Sequence, residues 1–96
     1  MNNEKITKPY YTVLIFDNWH GHSIYFGRGE RQAVGYHNRI RISNRIESIN
    51  LAKRLMKKRW PCGMEQVVVT ETRPVGYCVN EENAIFKGEL DSAYAA

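Results

Sequence analysis

Ile46-Glu-Ser-Ile-Asn-Leu-Ala-Lys-Arg-Leu-Met-Lys-Lys-Arg-Trp60 is the stretch whose reading decides the fold. At 100° per residue, Ile46, Ile49, Ala52, Met56 and Trp60 fall on one apolar stripe, with Leu55 on its flank. Arg54, Lys57 and Lys58 fan out over the opposite side. Five of the fourteen Lys/Arg of the chain (Lys53, Arg54, Lys57, Lys58 and Arg59) crowd into this segment. Asn44 is a good N-cap, and Glu47 three residues on completes a capping-box-like pattern near the positive helix end. Pro61 disfavours helical geometry at Trp60, and Gly63 relaxes the exit turn, so the stop is expected near Arg59 or Trp60. Burying Ile46, Ile49, Met56 and Trp60 would contribute roughly 1.5–3 kcal/mol each, large against a net stability of about 5–15 kcal/mol.

Working outward, Tyr10-Tyr-Thr-Val-Leu-Ile-Phe16 reads as a strand with apolar residues on both faces, and therefore as a central one. Residues 17–22 have turn composition, residues 23–26 form a short second strand, and residues 27–31 form a second turn. Residues 34–42 alternate. Val34, Tyr36, Ile40 and Ile42 point one way, and Gly35, His37, Arg39 and Arg41 the other. Asn38 breaks that pattern, as a bulge or a local bend would. Residues 65–72, with Val67-Val-Val69, are a further strand that Arg73-Pro74 interrupts, and residues 75–79 resume as a short edge strand. Residues 80–96 are compatible with a terminal helix using Ala84, Ile85, Phe86, Leu90 and Tyr94, which Gly88 weakens by about 1 kcal/mol. The expectation is an α+β fold: an antiparallel sheet in β-β-β-α-β order, one main amphipathic helix on one face, and a short C-terminal helix as an addition. Residues 1–9 read as a leader, 10–80 as the domain and 81–96 as a C-terminal segment.

Ninety-six residues with 43% apolar content support one compact domain. No apolar run approaches the roughly 20 residues of a membrane span, and Met1-Asn-Asn-Glu-Lys opens no signal-type segment. The expected location is the cytoplasm, where Cys62 and Cys78 would be free thiols. The net charge of +4 is segregated: residues 28–59 hold ten Lys/Arg against Glu30 and Glu47, whereas residues 81–96 are acidic. Such segregation can steer an anionic partner, and it is also what a solvated surface with a mild excess looks like.

His20-Gly-His22 beside Asp17 has the composition of a metal site, but the intervening glycine gives no rigidity and no further His/Cys pair has ligand spacing. No metal and no cofactor are expected. Cys62 lies at a helix C-terminus, whose negative end opposes a thiolate, so it reads as filler rather than nucleophile. Scattered carboxylates offer no acid/base pair. What stands out is the basic set. Arg39 and Arg41 project from a sheet face and Arg54, Lys57 and Lys58 from the helix, with Tyr25, His37 or Trp19 as planar neighbours. Protein contact, nucleic-acid contact and plain solvation all fit it. Trp19, in a polar turn, is hard to bury and suits a protein-interface anchor. Trp60-Pro61 is the one bond whose isomer merits checking, with trans the default.

In whole-chain character, from Asn2-Asn-Glu-Lys-Ile-Thr-Lys-Pro-Tyr10 through Arg59-Trp-Pro-Cys-Gly63, the sequence resembles the small accessory proteins with which temperate phages modulate the host RecBCD nuclease-helicase. The resemblance implies a non-enzymatic protein in the host cytoplasm that binds a protein subunit of the host complex and redirects DNA-end processing toward phage recombination. It carries no motif from which functional residues transfer. The basic balance departs from inhibitors that imitate DNA. The alternative is a small basic domain binding nucleic acid directly through its helix and the Arg39/Arg41 strand.

Overall fold

The computed structural model describes residues 8–77 and 79–92, without the side chains of 91 and 92. Seven strands and one helix follow the order β1 (Tyr10–Asp17), β2 (His22–Phe26), β3 (Gln32–Val34), α1 (Arg45–Met56), β4 (Arg59–Trp60), β5 (Met64–Gly76), β6 (Val79–Glu89) and β7 (Asp91–Ser92). Five strands form one antiparallel sheet in the order β3-β2-β1-β5-β6, and β4 pairs with β7 in a two-stranded parallel patch. The fold is thus α+β with one main helix, and β1, as expected, is central. No helix among the described residues is long and apolar enough to cross a membrane. The expected leader lies outside the described residues up to position 7.

Asn44 caps α1 as expected, its side-chain oxygen accepting the Glu47 amide at 2.9 Å. The buried face, however, is Ser48, Leu51, Ala52 and Leu55 rather than the stripe centred on Ile49 and Met56. Ile46 is 69% exposed. Both stripes satisfy the helical period and share Ala52; the one with two leucines faces the sheet. Ser48 tolerates burial because its hydroxyl donates to the Arg45 carbonyl at 2.7 Å. The helix also stops sooner than expected, at Met56. Trp60 belongs to β4, where its indole Nε1 donates to the Leu55 carbonyl at 2.8 Å and its ring meets Phe26 edge-on. It joins the core as expected, but from beyond the helix end. No peptide bond among the described residues is cis.

The core lies between α1 and the sheet face carrying Tyr11, Val13, Ile15, Phe26, Val67 and Val69. Period-two alternation sends Tyr10, Thr12 and Leu14 to the other face. The expected strand over 34–42 is not formed. Gly35, at φ 91°, ends β3, and a 3-10 turn over Tyr36–Asn38 follows. Asn38 breaks the alternation because its side chain donates to the Val34 carbonyl at 3.0 Å. Only Ile42 regains sheet pairing, through two backbone hydrogen bonds with Tyr11.

Arg73-Pro74 does not interrupt β5. Beyond Thr72, β5 has passed Tyr10, the first residue of β1, so among the described residues one of its edges is unpaired there and a proline is tolerated, with a register shift next to it. Nor is the C-terminal segment a helix over its described part: residues 79–89 are β6, paired along β5 and belonging to the same sheet domain. Residues 93–96 lie outside the described part. Gly88 lets the helix approach that strand closely. It is buried opposite Val67, and a Cβ there would run into the Met56 side chain of α1.

The two stripes separate in an unfolding experiment. Leu51→Ala should destabilise the protein by about 2–5 kcal/mol in urea titration, whereas Ile46→Ala should stay within about 0.5 kcal/mol of wild type.

Candidate functional site

The basic residues do not share one surface. Arg39 and Arg41 lie against Tyr10, on the sheet face opposite α1. Lys53, Arg54 and Lys57 are exposed on the outer side of the helix. Lys58 is paired with Glu30, and Arg28 with Glu47, tying the turn Arg28–Glu30 to the helix and its end. Arg54 and Lys57 have no carboxylate partner among the described residues.

Arg39 is less a surface charge than a clamp. The register aligns Tyr10 of β1, Thr72 of β5 and Glu82 of β6 in one row across the sheet. The segment from Tyr36 to Arg39 lies over that row. The Tyr36 hydroxyl donates to Glu82 Oε2 at 2.6 Å, which holds the phenol above its ordinary pKa. Arg39 stacks on the Tyr36 ring, 4.0 Å from its centroid. Its two terminal nitrogens donate to the Tyr36 carbonyl at 2.9 Å and the Tyr10 hydroxyl at 2.8 Å. Beneath this strap Thr72 and Tyr25 are buried. Tyr25 is therefore not the exposed planar neighbour expected from sequence, and burial raises its phenol pKa. Arg41 remains exposed, resting on the other tyrosine, 4.6 Å from the Tyr10 centroid.

At one end of the sheet, Trp19 is 71% exposed, as expected of a side chain in a polar turn. It lines a cavity of about 250 Å³ with Asp17, His20, Pro61, Cys62 and Met64. Asp17 organises this turn. Its Oδ1 accepts the backbone amides of Trp19 and His20 at 2.9 and 3.2 Å, and its Oδ2 meets His20 Nδ1 at 2.7 Å. The His20 contact and those amides hold its carboxyl below the ordinary carboxylate range, against the opposing effect of burial. His22 stacks on His20, their centroids 5.7 Å apart. Among the described residues no group of three or more His, Cys, Asp or Glu has the geometry of a metal site. Cys62 is a half-buried free thiol; Cys78 lies outside the described residues.

At the other end, β5 and β6 run on past Tyr10, the first residue of β1, as a two-stranded arm, and the molecule measures 58 × 25 × 20 Å. Its tip is apolar: Tyr77 is 94% exposed, with Val75 and Val79 more than half exposed. Sequence reasoning saw here only an edge strand. Local signal for the arm was weak, because Pro74, Gly76, Asn80, Glu81, Glu82 and Asn83 are poor strand formers.

Two side chains carry checkable consequences. Arg39→Lys removes a stacked planar fork and should lower stability by about 1 kcal/mol, while Arg41→Lys should leave the urea midpoint unchanged. Asp17 has a depressed folded pKa, so its contribution is complete above the ordinary carboxylate range and drains as pH falls through the folded value. Asp17→Asn should flatten the loss of stability below about pH 5 in acid titration followed by circular dichroism. No family model matches the chain, and no curated protein or solved structure matches it.

Proposed function

We propose that the chain is a non-enzymatic binding protein that docks on a host DNA-processing complex and redirects its handling of DNA ends. The resemblance to phage modulators of RecBCD suggests the partner. The observation that carries the reading is the projecting β5–β6 arm with Tyr77 almost fully exposed at its tip. A tyrosine flanked by Val75 and Val79 on a two-stranded arm is the composition of an interface anchor, which gains most when it enters a desolvated pocket. The bare cations Arg54 and Lys57, on another surface, supply long-range attraction to an acidic partner rather than the anchoring contact.

Pull-down from bacterial lysate with the tagged chain should recover nuclease-helicase subunits. Tyr77→Asp should weaken binding to the purified complex at least tenfold with an unchanged urea midpoint. Recovery of no nuclease, helicase or recombinase subunit, or an unaltered affinity of the Tyr77 variant, contradicts the reading.

A further inference from the structure

Between β3 and the returning segment 38–41 lies an open cleft of about 430 Å³. Arg31, Arg39 and Arg41 line it together with the carboxamide side chains Gln32 and Asn38, and no lining residue is acidic. Arg31 and Arg41 are exposed and have no ion-pair partner among the described residues. Arg39 carries a buried Nε–H with no hydrogen-bond acceptor among the described residues. Donors of this kind are normally satisfied. An adjoining hollow of about 170 Å³ shares Arg31 and Arg41 and ends at Arg28 and Glu47, which pair with each other.

We infer that this cleft binds the phosphodiester backbone of single-stranded nucleic acid. Guanidinium groups suit phosphate because their planar forks match its oxygens, and carboxamides add uncharged donors. The choice of nucleic acid over an acidic peptide rests on the neighbouring rings. Tyr36 is 46% exposed, and exposed His37 packs edge-on to it with centroids 6.1 Å apart. They give unstacked bases a surface beside the phosphate track, which a closed duplex cannot use. Glu82 does not line the cleft and is engaged by the Tyr36 hydroxyl. The inference is independent of the arm and assigns no role to the helix cations.

The test is fluorescence anisotropy of a labelled oligothymidylate over a range of salt. Wild type should bind at low salt. The double variant Arg31→Glu/Arg41→Glu should bind at least tenfold more weakly, and the milder Arg31→Gln/Arg41→Gln should lower the slope of log K against log salt by about 1.4, two phosphate contacts' worth. Both should keep the wild-type circular dichroism and still capture the host complex, which separates this site from the docking reading. Lys53→Glu/Arg54→Glu/Lys57→Glu should change oligothymidylate binding less than threefold. Absence of salt-sensitive binding by wild type, unchanged binding by the glutamine variant, dependence on the helix cations alone, stronger binding of duplex, or equal competition by polyglutamate would each overturn it.

Discussion

Everything in this fold depends on which side of α1 meets the sheet. Leu51, Ala52 and Leu55 are almost fully buried, in one core with Val13 and Ile15 of β1 and Val67 and Val69 of β5. That choice rotates Ile46 into solvent and carries Lys53, Arg54 and Lys57 to the outer side. It also brings Met56 over β6, where a Cβ at position 88 would push the Met56 side chain aside. Gly88 therefore supports the docking of α1 and, with Val67 opposite, marks β6 as a strand. The hydrophobic effect supplies the driving force, and the period of the helix fixes its consequences for every charged neighbour.

The opposite face is covered by different means. No second helix lies there among the described residues. A strap running from Tyr36 to Arg39 reaches from the β3 side across β1 to β6, held by a stacked guanidinium and a tyrosine–glutamate hydrogen bond. Its contacts are polar and planar, so burial and charge are reconciled within a few residues. The arrangement leaves Arg41 and Arg31 outward at the strap's edge while Arg39 is consumed in holding it.

Much of this was legible in the sequence. The capping of α1 by Asn44, the strand character of residues 10–16 and 65–72, and the two early turns all rest on local chemistry, and local chemistry decided them. The buried helix face was misjudged because two overlapping stripes fit one period and only the sheet chooses between them. The run 34–42 alternates except at Asn38, yet a glycine at positive φ and that asparagine's side chain bend it into the strap. The segment after Asn80 carries apolar residues at helical spacing, but β5 offers an unpaired edge and the strand wins. Of the candidate binding residues, Trp19, Arg41, Arg54 and Lys57 are exposed where an accessible role requires them. Arg39 and Lys58 are engaged within the domain, and the basic set falls on two faces because the strap that carries Arg39 and Arg41 crosses the sheet face opposite α1.

The central claim, that the leucine side of α1 faces the sheet, is tested most directly by methyl NOEs in solution. Leu51 and Leu55 methyl groups should show cross-peaks to those of Val13, Val67 and Val69, and Ile46 should show none to that set. Strong Ile46 cross-peaks to the valines, with Leu51 lacking them, would contradict the account.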